Sequence, residues 1–169
     1  MYMPSRVLIH GQFPKMKLYL INDYIKELRE RISDIVALEN DRYKIGFERT
    51  IFFPGGGHQP HDIGTIVGEK QEYRVIRVIE DGKLIYHIIE SKEKELDLTV
   101  GDEVLLRLDW ARRYHIMKLH TAEHIFMEFM RKKGYELENG MWGPEEGLIV
   151  LDKEADLKDI FEAEKQTND

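Results

Sequence analysis

A hairpin signal in the middle of the chain sets the fold class. Residues 71–80 alternate between two faces, which is the period of a β-strand. Asp81-Gly82 follows at once, and this dipeptide favours the positive φ angles of a two-residue hairpin turn. Residues 83–89 then form the predicted return strand. The chain is therefore built at least in part from an antiparallel sheet.

Other short apolar runs extend this sheet. Turn residues at 39–42 separate two of the runs. Strands are predicted over residues 17–21, 35–39, 43–51 and 104–109, and a short helix capped by Asn22 or Asp23 is predicted over 24–31. Five to seven short strands joined by turns are typical of a small β-barrel.

The pattern changes at Asp109. Over residues 112–133 apolar side chains recur every three or four positions, which predicts a helix, and Gly134 is a suitable stop. A strand over 148–151 and a second helix over 157–164 follow. We therefore predict an α+β fold class, with a β-barrel domain over residues 1–108 and a second domain over 109–169.

The composition limits the function. A formal net charge of -7 argues against broad electrostatic adhesion to nucleic acid, although the basic residues between Arg107 and Lys133 could form a small patch. The chain has no cysteine, hence neither disulfides nor thiolate metal ligands. No run approaches the ~20 apolar residues of a membrane span, and residues 1–13 lack a signal-peptide pattern. We expect a cytoplasmic protein that contacts no membrane.

His120 and His124 are the candidate metal ligands. Histidines four residues apart on a helix share a face, so both imidazoles can reach one ion, for which zinc is the natural candidate. The alternative is a pair satisfied by hydrogen bonds. Glu123 is expected to point away from this face, whereas Glu128 shares it and could be a ligand or support one. No histidine or cysteine follows His124 to complete a zinc site.

A glycine-rich run at residues 54–64 is the second candidate site. Gly55, Gly56 and Gly57 are consecutive, which indicates either a tight turn or a loop that another group approaches closely. The run matches neither the dinucleotide-binding nor the Walker pattern, so these two types of phosphate cradle are excluded. His58 and His61 lie in the run and could contact a substrate or only solvent.

Two arginines stand between these sites in the sequence. Arg112 and Arg113 follow Asp109-Trp110, which can cap the long helix. They could form a solvated basic face, or they could meet phosphate beside the possible metal site.

Three segments together resemble the free-standing alanyl-tRNA editing proteins (AlaX type), relatives of the editing domain of alanyl-tRNA synthetase. The segments are residues 18–24, 50–64 and 109–124, and their order and spacing resemble the family from about Lys17 to Gly134. Two departures stand out. His58 lies where the third glycine of the family's motif is expected, and the family's later Cys-x-x-x-His segment is absent from the sequence.

The resemblance implies a small N-terminal β-barrel followed by the first part of an α+β editing domain. It implies zinc-assisted hydrolysis, without ATP, of the ester that joins serine or glycine to alanine-specific tRNA. His120 and His124 would be two zinc ligands, and the aminoacylated 3′ end would lie near the glycine run. The residues assigned to substrate or tRNA binding are Gly55, Gly56, Gly57, Gln59, Arg112 and Arg113. No catalytic residue is assigned.

Because half of the family's zinc ligands are missing, two other hypotheses stay open. A degenerate relative would bind tRNA or a protein without full activity. A truncated form would be part of a longer enzyme, with an incomplete zinc site. An exposed sheet edge would invite pairing with another chain, so a homo-oligomer is a further hypothesis.

Overall fold

The computed structural model describes residues 16–82, 84–91, 96–143 and 145–168. Its strands are β1 (Met16–Lys17), β2 (Glu27–Ala37), β3 (Arg42–Phe47), β4 (Arg49–Thr50), β5 (Gly64–Val67), β6 (Glu72–Asp81), β7 (Leu84–Glu90), β8 (Glu103–Leu108), β9 (Leu137–Trp142) and β10 (Gly147–Leu151). Its helices are α1 (Trp110–Lys132) and α2 (Leu157–Asn168). In the described part of the chain, neither helix is both long and apolar enough to cross a bilayer.

Six strands close into an antiparallel barrel in the order β2-β3-β7-β6-β5-β8. Closure pairs every strand on both sides, so the barrel has no free edge. Alternate side chains point inward and form one apolar core, whose fully buried members include Ile45, Ile66, Val75, Ile89 and Leu106. The predicted barrel and the α+β fold class are therefore confirmed.

The predicted central hairpin is present. β6 pairs antiparallel with β7, and Gly82 has a φ of +63°, as the turn requires. Lys83, where the predicted return strand begins, lies outside the described residues. The predicted turn at residues 39–42 is also confirmed, because Asn40 and Asp41 both have positive φ between β2 and β3.

Two predictions near the start of the chain are wrong. Residues 24–31 do not form a helix, because residues 27–31 lie in β2 and pair with residues 103–107 of β8. This pairing closes the barrel and overrides the helix propensity of a segment rich in Lys, Glu and Arg. The predicted strand at residues 17–21 is limited to β1, since a 3-10 turn occupies Leu18–Leu20.

The later part of the chain packs around α1, and its three predicted elements are confirmed. β9 pairs with β10, and both pack with α2 and α1 around a separate core of Met127, Met130, Tyr135 and Ala163. Strand β9 is not predicted by the sequence. The domain boundary near Leu108 stays a prediction, and residues 1–15 of the first predicted domain lie outside the described residues.

A buried histidine supports the entry to the glycine run. The Nδ1 of His87 lies 3.1 Å from the carbonyl oxygen of Ile45, which can only accept, so Nδ1 carries the proton. The Nε2 lies 2.8 Å from Oγ1 of Thr50, and that oxygen accepts the Phe52 N–H at 3.0 Å. Burial lowers the pKa of His87 to about 4. Through Thr50, the neutral ring thus fixes the backbone at Phe52, directly after β4.

We expect His87 to make folding sensitive to acid. Between pH 6.5 and about 4 the unfolded histidine binds a proton and the folded one does not, so unfolding becomes more favourable as the pH falls. The free energy of unfolding should fall by about 3 kcal/mol across this window through His87 alone. Urea denaturation at several pH values measures the change.

Two variants isolate the effect of His87. His87→Gln should be less stable than wild type at pH 7 but should lose most of the pH dependence. His58→Asn, at an exposed position with positive φ that asparagine tolerates, should keep the wild-type dependence. The same pH dependence in His87→Gln and wild type would contradict the account.

Candidate functional site

The glycine loop, defined here as residues 54–61, curls tightly between β4 and β5. The angle φ is positive at four consecutive residues, with +87° at Gly55, +136° at Gly56, +57° at Gly57 and +67° at His58. Gly56 and Gln59 exchange two backbone hydrogen bonds of 3.0 Å, so Gly57 and His58 form the tip of a two-residue turn. His58 thus keeps the left-handed backbone that glycine adopts without strain.

The tip of the loop presents backbone donors to solvent. Both residues of the tip, Gly57 and His58, are exposed. Their N–H groups have no acceptor among the residues that the structure describes. Successive N–H groups in such a turn can bind an anionic or carbonyl oxygen. The loop is therefore available to a ligand.

A buried ion pair fastens the loop to α1. The Nη2 of Arg113 lies 3.2 Å from Oδ2 of Asp62, and the two side chains are only 9% and 7% exposed. The same carboxylate oxygen accepts the Phe53 N–H at 2.6 Å. The Nη1 of Arg113 donates to the carbonyl oxygens of Asp23 and Ile51. One guanidinium thus joins the helix to three other segments.

This burial changes the role expected for Arg113. Burial raises the pKa of the Asp62 carboxyl, and the Arg113 charge and the Phe53 N–H oppose that rise by stabilising the ionised form. Because the guanidinium is buried on Asp62, the structure places Arg113 to hold the loop, and a phosphate contact does not fit this position. Arg112 stays half-buried and donates from Nη1 to the carbonyl oxygen of His61 at 2.8 Å.

The two candidate metal ligands lie one turn apart on α1. The Nε2 atoms of His120 and His124 are 3.0 Å apart. Two nitrogens bound to a tetrahedral zinc ion at ~2.0–2.1 Å would be ~3.3 Å apart. The donor set and its spacing therefore fit zinc. The same distance also fits a hydrogen bond between the two rings, so both alternatives stay open.

Glu123 is brought to the histidine pair, which corrects the expectation that it points away. Its carboxylate is 5% exposed and lies 3.6 Å from Nδ1 of His124. Ligand atoms of His120, Glu123 and His124 all lie within 4.8 Å of one another. Glu123 follows His120 by three residues, and this spacing also shares a helix face. Glu128 instead pairs with Lys132 at 3.5 Å.

Trp142 links the glycine loop to the histidine pair. Its backbone N–H lies 3.3 Å from the carbonyl oxygen of His58, to which it donates. Its ring stacks on His120, with 6.3 Å between the centroids and 20° between the planes. The two motifs are therefore neighbours in space, although about 60 positions separate them in the sequence.

A cleft of about 200 Å³ lies beside the loop. Gln59 and Phe53 line it from the loop side, and the Asp62–Arg113 pair lies in its wall. Met117, three residues before His120 on α1, lines it from the helix side. The cleft thus contacts both the glycine loop and the helix that carries the two histidines.

Comparison with known proteins identifies the family of the chain. The family model described as tRNA synthetases class II (A) matches residues 16–112, which is more than half of the chain. The chain belongs to this class II tRNA synthetase family. The matched segment contains the barrel, the glycine loop and Arg112, and it ends before His120.

The relatives that this chain is similar to include free-standing editing proteins. The alanyl-tRNA editing protein AlaX-M of Pyrococcus horikoshii is 36% identical over 136 residues, which is 78% of this chain and 57% of that protein. AlaX-M of Methanosarcina barkeri is 31% identical over 156 residues, which is 90% of this chain and 63% of that protein. The resemblance to alanyl-tRNA editing proteins is therefore confirmed. The chain spans about three fifths of the length of these relatives.

A longer relative has a related segment. The alanine–tRNA ligase of Aeropyrum pernix is 38% identical over 109 residues, which is 64% of this chain and 11% of that enzyme.

Three residues of the site escaped sequence reasoning. They are Asp62, Glu123 and Trp142. The helix spacing to His120 could have indicated Glu123. The sequence holds no local signal for Trp142, whose role depends on how β9 packs.

Breaking the Asp62–Arg113 pair should be costly. Arg113→Ala leaves a buried carboxylate without its partner, and we expect the free energy of unfolding to fall by about 3–5 kcal/mol. The matched control is Arg107→Ala, which removes an exposed ion pair with Glu27 (2.7 Å) and should leave stability unchanged. Urea denaturation of both variants checks this, and an equal effect of the two substitutions would contradict the assignment.

Proposed function

We propose that this chain is a hydrolase that removes a wrongly attached amino acid from alanine-specific tRNA. The bond cleaved is the ester of serine, or of glycine, at the 3′ end. The observation that carries the proposal is the contact of the glycine loop with the histidine pair through Trp142. The names of the relatives, alanyl-tRNA editing proteins, support the same substrate class.

The residues that would hold zinc are His120 and His124, each through Nε2. Bound zinc would polarise the ester carbonyl or lower the pKa of a water that attacks it. The Glu123 carboxylate, beside Nδ1 of His124, favours the tautomer that carries the proton on Nδ1 and leaves Nε2 free as a ligand. With two imidazole ligands from the described residues, we expect zinc to be exchangeable.

The glycine loop would bind the end of the substrate. The N–H groups of Gly57 and His58, which have no acceptor among the described residues, can donate to oxygens of the terminal nucleotide or of the ester. Gln59, which lines the cleft, can select serine by a hydrogen bond to the hydroxyl group that alanine lacks. Gly55 and Gly56 supply the positive φ angles that this path requires.

The two arginines would have different roles. Arg112 is the one placed near the surface, and we propose that it contacts the tRNA backbone in addition to holding the His61 carbonyl. Arg113 positions the loop through Asp62. The fixed loop then holds the ester at a constant distance from the histidine pair.

The direct test is the release of serine from mischarged alanine-specific tRNA. We expect the wild-type chain with added zinc to release serine. The rate of release by the double variant His120→Ala/His124→Ala should be at least ~100-fold lower, because the group that stabilises the transition-state charge is lost. His115→Ala, a half-buried histidine on the same helix, is the matched control and should keep full activity. Zinc content, measured in parallel, should be well below one per chain without added metal.

Two results would contradict the proposal. Folded wild-type protein that binds the tRNA but releases no serine would favour a binding module. Release that does not depend on the two histidines would place the chemistry elsewhere.

A further inference from the structure

Three aromatic rings form a row at the start of α1. We call Tyr24, Trp110 and Tyr114 the aromatic row. Trp110 and Tyr114 stack with 5.6 Å between the ring centroids and 19° between the planes, and Tyr24 lies 5.7 Å from Trp110 at 49°. Tyr24 is 58% exposed and Tyr114 is 42% exposed. The row therefore presents aromatic surface to solvent at both ends.

Two ammonium groups lie over this row. The Nζ of Lys26 is 4.6 Å from the ring centroid of Trp110, and that of Lys118 is 5.2 Å from the centroid of Tyr114. Among the described residues, neither lysine has a carboxylate within 4.0 Å. A cation over an aromatic face is attracted to the ring and still has donors for a phosphate oxygen.

The unpaired charge is notable because the chain is acidic. Most of the basic residues between Arg107 and Lys133, which the sequence suggested as a small basic patch, are paired with carboxylates of the chain itself. The neutralised residues are Arg107, Arg113, Arg131, Lys132 and Lys133. Of this group, only Arg112 and Lys118 have no carboxylate within 4.0 Å in the described part of the chain. The positive charge left over thus lies at the glycine loop and at the aromatic row.

The aromatic row leads to the candidate site. Tyr24, Tyr114 and Met117 line a groove of about 340 Å³, and Met117 also lines the cleft beside the glycine loop. Tyr114 and His120 are six residues apart on α1, which is ~9 Å along the helix axis at ~1.5 Å per residue and about a third of a turn around the helix at ~3.6 residues per turn. Two to three nucleotides stacked ~3.4 Å apart span the axial part of this separation, and Met117 lies between the two faces of the helix.

We propose that the aromatic row is a stacking platform for the single-stranded 3′ end of tRNA. Exposed aromatic faces beside cations, without base-edge readers, are the features by which proteins bind single-stranded nucleic acid. Unpaired bases stack on Tyr24 and Tyr114, and Lys26 and Lys118 contact the phosphates between them. The inference rests on the proposed function, because it supplies the path along which the aminoacylated end reaches the histidine pair.

The experiment compares two RNA hairpins with the acceptor-stem sequence, one with a single-stranded 3′ end and one blunt. Both are uncharged, so binding is measured by fluorescence anisotropy without any hydrolysis. Tyr24→Ala and Tyr114→Ala should each weaken binding of the tailed hairpin at least fivefold and leave the blunt hairpin unchanged. Tyr114→Phe keeps the ring and should bind like wild type.

The charge and the location are tested separately. Replacing Lys26 and Lys118 by glutamine should weaken binding and reduce its salt dependence by a slope of about 1–2. Lys132→Gln is the matched control, because Lys132 lies 5.3 Å from the Phe129 ring but is paired with Glu128. Phe161→Ala controls for the loss of an exposed aromatic ring, since Phe161 is 64% exposed on α2. Both controls should bind like wild type.

Three results would overturn this proposal. The tyrosine variants could bind the tailed hairpin like wild type, or they could lose both hairpins equally. Analytical ultracentrifugation could also reveal a wild-type dimer that Tyr114→Ala dissociates without any change in RNA binding, which would make the row a contact between copies.

If serine release is normal while the tyrosine variants bind tailed RNA normally, only this inference fails. If tailed RNA binds through the row but serine is not released, the proposed function fails instead.

Discussion

The buried ion pair of Asp62 and Arg113 is the contact on which the candidate site depends. A closed barrel has no free edge, and a helix that follows its last strand could leave it in many directions. Arg113 removes this freedom, because its guanidinium binds Asp62 and the carbonyl oxygens of Asp23 and Ile51 together. Asp62 in turn accepts the Phe53 N–H and closes the base of the glycine loop. Either charge buried without its partner would destabilise the fold, but the pair and its hydrogen bonds offset this cost. The pair also fixes the loop and the helix in one arrangement.

Everything further along the site follows from that arrangement. The loop tip is held against Trp142, and Trp142 stacks on His120. The histidines lie in the middle of a long helix, whereas the donors of the loop tip lie on a turn with four positive φ angles. Such a combination of a histidine pair on a helix and a preorganised loop suits a reaction in which binding and chemistry must meet within a few ångströms.

The sequence predicts those parts of the structure whose signal is local. The hairpin of β6 and β7 follows from alternation and from Asp81-Gly82, and α1 follows from its apolar period and its Asp109 cap. The segment at residues 24–31 could not be predicted in this way. Its composition favours a helix, and only its pairing with β8 across the closed barrel makes it a strand.

The same distinction holds for the site. The spacing of His120 and His124 is local information, and the structure brings the two nitrogens within 3.0 Å. The burial of Arg113 is not local, because it depends on a carboxylate about 50 positions away. Strand β9 is not predicted because Glu138, Asn139 and Gly140 all have low strand propensity, yet it supplies Trp142, which contacts both the glycine loop and His120.

The most direct measurement is an NMR titration of the chain with a non-hydrolysable serine amide of adenosine. If the loop and the histidine pair form one site, the backbone amides of Gly57 and His58 and the imidazole signals of His120 will shift together with a single Kd. Shifts with different affinities, or shifts at the loop without any at His120, would contradict the account, because the two motifs would then be separate surfaces.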